Sequence, residues 1–463
     1  MYAWSNISIS SKDPEIIKID EFEVKLGKLP NNFRRIRQVL FILLFTGGFL
    51  EISYAQNIEL KQSNESGIYK KGERILVSVM LIDMEADSIS VKITENYAHE
   101  NRNEKIKYSG NEIIIYDGLG NEPLSLIFEV RAKEEFASIG LVVNPENFKP
   151  GTERPVDIDY YWEKEKETLR TLPMEVKAVD LPNIEKGFVC SDLRINCTGP
   201  KPARGYFAKP VDAKPKSLPI VLYVHAAGVK GSWCLSEPET AIRYAKMGKG
   251  TLSFDLNAHG MLNGQPQEYY DSLERGELKN YYSYGVESRN DFYFRGMYLR
   301  LLRTLDFLTS QTEWDGKRIL VIGESQGGGQ ALAAAGLDNR VSAVVAIVPA
   351  MCDWGGSFVG RTAGWPNPFN FANDKEKMME TLPYFDAAHL LKNSEATIVT
   401  EIGFIDKTCP STSIYAAINQ TKGENVIFGV PYRGHHLNQT SYKETWEKTV
   451  IKSRMDFIAD YLE

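Results

Sequence analysis

One serine in this 463-residue chain has neighbours that could make it a nucleophile. The apolar run Arg318-Ile-Leu-Val-Ile leads into Gly323-Glu324-Ser325-Gln326-Gly327-Gly328-Gly329, and an Ala-rich stretch with helix character follows. The pattern G-x-S-x-G recurs by chance. Set between a strand and a helix, it predicts a turn so sharp that the serine is strained and its hydroxyl projects above a sheet. The Gln326 N–H then lies at a helix N-terminus, aimed where negative charge develops on an attacked carbonyl.

A serine hydroxyl is a weak nucleophile without a base. In enzymes built on such a turn the chain order is serine, acid, histidine. The strand-like Thr397-Ile-Val-Thr-Glu-Ile-Gly leads to Asp406, where an orienting acid belongs. Asn425-Val-Ile-Phe-Gly-Val-Pro leads to Tyr432-Arg433-Gly434-His435-His436. His435 is preferred over His436 as base because it directly follows the turn glycine. Asp353 and Asp386 compete as acids, but neither follows the penultimate strand. A second oxyanion donor is expected from the loop His225-Ala226-Ala227-Gly228, with the Ala227 N–H as candidate and His225 as a buried structural residue. His259 and His436 are candidates for substrate contact, with filling of volume an equal reading for His259. Adjacent histidines rarely ligate one ion and no CxxC motif occurs, so neither a metal nor a cofactor is expected.

The elements that must position these groups are also readable. From about residue 218, apolar strands at 219–225, 251–256, 318–323, 341–348, 396–402 and 425–430 alternate with helical stretches at 238–246, 287–309, 326–337 and 444–462. That alternation predicts a mostly parallel sheet covered on both faces, with chemistry at the carboxyl ends of its strands. Residues 56–145 read differently. Short alternating runs at 74–81, 88–93, 112–116 and 124–130, separated by turn-rich pieces, predict a small all-β, immunoglobulin-like sandwich. His99 falls there in a polar loop. A Pro- and Gly-containing connector follows from residue 144, and an amphipathic helix over 158–172 opens the larger domain, 146–463.

The succession DFYFRGMYLRLLRTLDFL, GESQGGGQALAAAGLDNRVSAVVAIVPAMCDW, YFDAAHLL, IDKTCPSTSIYAAIN and GH resembles the acetyl xylan esterase and cephalosporin-C deacetylase family, carbohydrate esterase family seven. The resemblance covers about residues 150–463. It implies an α/β-hydrolase fold and removal of acetyl groups from hydroxyls of xylose units and small acetylated compounds. By position it puts the nucleophile on Ser325, the acid on Asp406, the base on His435, and the oxyanion donors on the backbone of Ala227 and Gln326. The chain departs from the family at Asn257-Ala258-His259-Gly260, where R-G-Q-G is usual. It departs again at His225-Ala226-Ala227 for HGY and at His436 for the usual Glu. All three changes touch the pocket rim and bear on acyl group and alcohol. Ring-like oligomers are implied, so a homo-oligomer is an expectation. The same fold also accommodates a serine peptidase or broader carboxylesterase. A non-catalytic carbohydrate-binding surface protein is the reading from another class.

Composition narrows the partners. Charged residues are 25% and the net charge is −7. An acidic chain lacks the basic surface that nucleic acid or an anionic membrane requires. Arg34, Arg35 and Arg37, the apolar run 39–50 and Ser53-Tyr54-Ala55 read as an export signal with cleavage after Ala55, preceded by an upstream start assigned too early. The apolar run is too short to span a bilayer. The expected protein is exported, periplasmic or secreted. Export permits a disulfide, and Cys190 with Cys197 is the one close pair of the five cysteines.

Overall fold

The computed structural model describes residues 57–437 and 440–463, together with three segments near the N-terminus: Ile7–Ile9 (β1), Ile16–Ile19 (β2) and Phe22–Lys25 (β3). These three pair antiparallel in the order β1-β2-β3, within a unit of residues 1–54. The expected export segment, Arg34 to Ala55, lies outside the described residues. No helix among the described residues is long and apolar enough to cross a membrane.

The second unit spans residues 55–463 and begins with eight strands: Ile58–Gln62 (β4), Ile68–Tyr69 (β5), Arg74–Leu81 (β6), Ser88–Glu95 (β7), His99–Lys107 (β8), Ile113–Leu119 (β9), Leu124–Ala132 (β10) and Glu135–Val143 (β11). They form two sheets, β4-β6-β9 and β5-β11-β10-β7-β8. Period-two alternation explains which side chains meet between them. β6 buries Ile75, Val77, Val79 and Leu81, and β7 buries Ile89, Val91 and Ile93, against Phe128, Val130 and Leu141. His99 opens the edge strand β8 and does not lie in a loop. The charge-rich sequence HENRNEKIK hid that strand, and charge is how exposed edges avoid pairing with other chains.

The larger region is built on one nine-stranded sheet. Its strands are Val176–Asp180 (β12), Phe188–Ile195 (β13), Ala203–Pro210 (β14), Leu218–Val224 (β15), Leu252–Asn257 (β16), Trp314–Glu324 (β17), Ala343–Ile347 (β18), Thr397–Gly403 (β19) and Asn425–Val430 (β20). The order is β12-β13-β14-β16-β15-β17-β18-β19-β20, antiparallel as far as β16 and parallel from there to β20. This is the α/β-hydrolase architecture, preceded by a β sandwich. Helices Ile158–Thr171 (α1), Pro238–Ala245 (α2), Gln267–Arg275 (α3), Tyr293–Thr309 (α4), Gln326–Leu337 (α5), Ser411–Ile418 (α6) and Lys452–Leu462 (α7) surround it. α1, α4, α5 and α6 join the main core on one face, while α2 and α7 pack on the other.

Several boundaries differ from expectation. The long helix starts at Tyr293, because Ser288 to Phe292 form turns closed by the Phe292 N–H on the Ser288 carbonyl, 2.9 Å. The last helix is interrupted by a π-turn over Glu447–Ile451. Cys190 and Cys197 are not bridged. Cys190 packs on the α2 face, whereas Cys197 packs against the main core, and all five cysteines are free.

Candidate active site

β17 ends at Glu324 and α5 begins at Gln326, so Ser325 alone makes the turn, with φ 55° and ψ −119°. A non-glycine residue held there stores about 1–3 kcal/mol of strain, which the surroundings must outweigh. The Ser325 N–H donates to the Ile347 carbonyl, 2.9 Å, and its own carbonyl accepts from Ala350 N–H, 2.9 Å, and Gly329 N–H, 3.0 Å. The motif glycines are steric requirements. A Cβ at Gly327 would lie 2.3 Å from the Val224 carbonyl oxygen, and one at Gly323 would lie 2.3 Å from the Gly327 carbonyl carbon.

The strand ends bring the other two candidates to this turn. His435 Nε2 lies 3.0 Å from Ser325 Oγ, and His435 Nδ1 lies 2.9 Å from Asp406 Oδ2. Asp406 is fully buried. Its Oδ1 accepts from the N–H groups of Thr408, 2.8 Å, and Cys409, 2.9 Å, which turns Oδ2 toward the imidazole. His436 is exposed, with its ring edge-on to His435 at 5.3 Å. The competing acids are occupied elsewhere. Asp386 accepts from the N–H groups of Asp353, Trp354 and Ala388. Burial, reinforced by Asp353, pushes its pKa up to about 7. Asp353 pairs with Arg361 and accepts from Gly151 N–H.

The two oxyanion candidates come from separate segments, the start of α5 and the loop after β15. Gln326 N–H is the first of α5, where no intrahelical acceptor exists. Ala227 N–H belongs to the loop after β15, whose Ala227 carbonyl accepts from Trp233 Nε1 at 2.9 Å. His225 beneath that loop is buried and bonded to Asp255, as expected of a structural histidine. Burial opposes its protonation, but the Asp255 carboxylate outweighs it and raises the pKa. His259 is buried too, with Nε2 2.8 Å from the Gly228 carbonyl and Nδ1 2.7 Å from Tyr293 Oη. Both ring nitrogens are therefore engaged, and burial holds its pKa down at about 3. Of its two readings, this arrangement favours the interior one: His259 supports the loop. Its ring packs edge-on against Tyr281, 4.4 Å, whose hydroxyl donates to the Gln326 side chain, 2.5 Å. One aromatic cluster thus touches both the Gly228 carbonyl and the Gln326 side chain.

Further supports had no signal in the sequence. Arg433, two residues before His435, pairs with the fully buried Glu401 of β19 and lies 3.5 Å from Glu324, beside Ser325. Arg454 pairs with Glu401 as well, Trp446 Nε1 donates to it at 2.6 Å, and the Arg433 guanidinium sits over the Trp446 ring at 5.2 Å. Tyr97, between β7 and β8, donates its hydroxyl to the Phe404 carbonyl, 2.8 Å, and accepts from Ser411 N–H, 3.2 Å. These contacts bracket the acid loop. Lys407 pairs with Glu129 at 2.7 Å, and Gly140 N–H donates to the Pro431 carbonyl at 2.8 Å, close to the histidine loop. Arg433 was visible beside the glycine, but its partner lies on another strand and Tyr97 is some three hundred residues from Phe404. Among the described residues, Asp406, Cys409 and His435 form the one three-donor group compact enough for a metal ion, within 4.8 Å. Asp406 and His435 are bonded to each other, and His435 to Ser325 as well; burial raises the Cys409 thiol pKa well above the usual range, against the thiolate a metal needs.

The acetyl xylan esterase family model matches residues 143–452. The chain is similar to the acetyl esterase Axe7A of Xylanibacter ruminicola, 27% identical over 449 residues, with 91% of this chain and 99% of that protein covered. A match of that span reaches into the sandwich. Among solved structures the chain is similar to the acetyl xylan esterase from Paenibacillus sp. R4, with a TM-score of 0.56, 25% identity, and 69% of this chain and 98% of that one covered. Acetyl xylan esterase 1 from Thermoanaerobacterium sp. JW/SL YS485 shares the fold, with a TM-score of 0.53, 20% identity and the same coverages of 69% and 98%. On the strength of a family match extending over most of its length, this chain belongs to the acetyl xylan esterase family and is a carboxylic ester hydrolase.

Proposed function

We propose that the enzyme removes acetyl groups from acetylated xylan, xylo-oligosaccharides or related small acetylated sugars through a covalent acetyl-serine. Ser325 Oγ attacks the ester carbonyl as its proton passes to His435 Nε2. Asp406 holds the imidazole in the tautomer with Nδ1–H and stabilises the imidazolium. The tetrahedral oxyanion accepts hydrogen bonds from the Ala227 and Gln326 N–H groups. Collapse breaks the C–O bond to the sugar, whose oxygen takes the proton from Nε2. Water then attacks the acetyl-serine, yields its proton to His435, and the second collapse releases acetate while the proton returns to Ser325 Oγ. Every proton taken by the imidazole is given back, and both oxyanions use the same donors.

The observation that carries this reading is the unbroken relay of 3.0 and 2.9 Å through His435. Acetyl as the acyl group draws on the family membership, and the sugar on the names of the relatives. The test is acetate release from acetylated xylan, run beside p-nitrophenyl esters from acetyl to octanoyl and a peptide substrate. The expected result is acetate release, with kcat/KM at least about tenfold higher for acetyl than for octanoyl esters. Preference for the octanoyl ester or for the peptide would establish a broader carboxylesterase or a peptidase instead.

A further inference from the structure

The end of the sheet farthest from β20 carries positive charge that ester hydrolysis does not use. Arg194 of β13 and Arg204 of β14 are direct partners in the antiparallel register. Side chains of such partners project from the same face, so the two guanidinium groups are neighbours. Like charges placed directly opposite each other destabilise a sheet. Among the described residues neither arginine has an ion-pair partner, and the field of Asp192 offsets only part of the repulsion at Arg204. The neighbouring charged groups have polar partners of their own. Asp192, on the same face of β13, accepts from Asn263 Nδ2 at 2.7 Å. Lys201 is paired with Glu277 at 2.8 Å. Partial burial lowers the pKa of Arg204, opposed by the field of Asp192 and reinforced by that of Arg194.

The two arginines border a cleft of about 380 Å³ whose other wall includes Tyr269, Leu262 and Leu273. Leu262 is 40% exposed there. Paired guanidinium groups present forked donors that match a carboxylate, and an aromatic and aliphatic wall accepts the face of a sugar ring. The cleft also lies at the edge of the sheet where the chemistry occurs. Arg204 is opposite Asn257, the last residue of β16; Leu256 is level with Val224 of β15, and Val224 with Gly323 of β17. At the usual strand spacing, Arg204 and Arg194 are about 14 and about 19 Å along that edge from the elbow. A polysaccharide bound at Ser325 spans such a distance with a few of its units.

We infer that this cleft is a second subsite, which binds a carboxylate-bearing sugar, a uronosyl branch, on the same acetylated polysaccharide whose ester is cleaved at Ser325. The inference rests on the function proposed above. It converts a costly cross-strand repulsion into selectivity: the branch neutralises the arginine pair and retains the main chain across the strand ends.

The test is calorimetric titration of the full chain carrying Ser325→Ala with unacetylated xylo-oligosaccharides that either bear or lack a glucuronosyl branch, and with sodium sulfate. The branched ligand is expected to bind roughly tenfold more tightly than the linear one at low salt. That preference should shrink at about 0.5 M NaCl, because the pair is partly exposed and screened. In the double variant Arg194→Gln, Arg204→Gln the ratio should fall to about one. The ratio is taken within a single preparation, so partial unfolding cancels. Equal affinities for the two oligosaccharides, or a preference that survives in the double variant, would overturn the subsite. Sulfate binding as tightly as the branched ligand would overturn the sugar assignment. None of these readings needs turnover. An enzyme that released no acetate from xylan would sink the function proposed above and leave the binding result decisive in its own right.

Discussion

The serine elbow and the loops that carry the acid and the base are held by different kinds of structure. At the elbow, the main restraints are backbone and close in space: one strained residue, two glycines without room for a Cβ, and hydrogen bonds to the end of β18 and the loop after it. The Asp406 and His435 loops are held by side chains from afar. Glu401 and Arg433 tie the acid strand to the base loop, Trp446 and Arg454 close that pair from the C-terminal segment, and Tyr97 of the sandwich braces the acid loop. The difference teaches where function is vulnerable. The elbow fails through overpacking, and the loops fail through loss of a remote partner.

The largest effect tests the elbow half of this contrast. Gly327→Ala puts a Cβ against the Val224 carbonyl, and we expect destabilisation of about 3 kcal/mol and at least a hundredfold loss of kcat, roughly what a displacement of 1 Å costs. Denaturant unfolding and steady-state kinetics measure both; a variant near wild type in both would mean that the glycine is not a steric requirement. Next, Arg433→Gln leaves Glu401 with Arg454 and Trp446 alone. About 3 kcal/mol of stability should go, with a roughly tenfold fall in kcat and little change in KM. A change confined to KM would place Arg433 in substrate binding and break the contrast from the other side.

Acid provides a third probe. Burial holds His259 at about 3 and His389 at about 4, against an ordinary value of 6.5. Between those values the unfolded chain binds more protons than the folded one. Stability is therefore fully present above about pH 6.5 and is lost as pH falls toward 4 and then 3, by up to about 1.4 kcal/mol per pH unit for each group. His389→Asn should flatten the slope of unfolding free energy against pH between 6.5 and 4.5; an unchanged slope would show that this histidine does not contribute. The smallest effect is that of Tyr97→Phe, which removes one hydrogen bond to the Phe404 carbonyl. About 1 kcal/mol and a few-fold fall in kcat are expected, with KM unaltered. A null result there would mean that the sandwich touches the acid loop without steadying it.

The same contrast explains what could be read from the sequence. The elbow is local, so Gly323, Ser325 and Gly327 announce it in seven residues, and α5 and β20 have the boundaries their apolar patterns predict. Asp406 and His435 were found because each follows a strand in the expected order. The braces were not. Glu401 looks like one polar residue in an apolar strand, and Tyr97 like a turn residue; only folding brings them to Arg433 and Phe404. The antiparallel strands β12, β13 and β14 were missed because their polar faces break the apolar runs that marked the parallel ones.

The central claim is that Ser325 attacks the ester with His435 as its base, and the most direct test is the rate at which a folded Ser325→Ala enzyme hydrolyses an acetyl ester. The account predicts a fall in kcat of at least about 10³-fold. A variant that kept a tenth of the wild-type rate would contradict it.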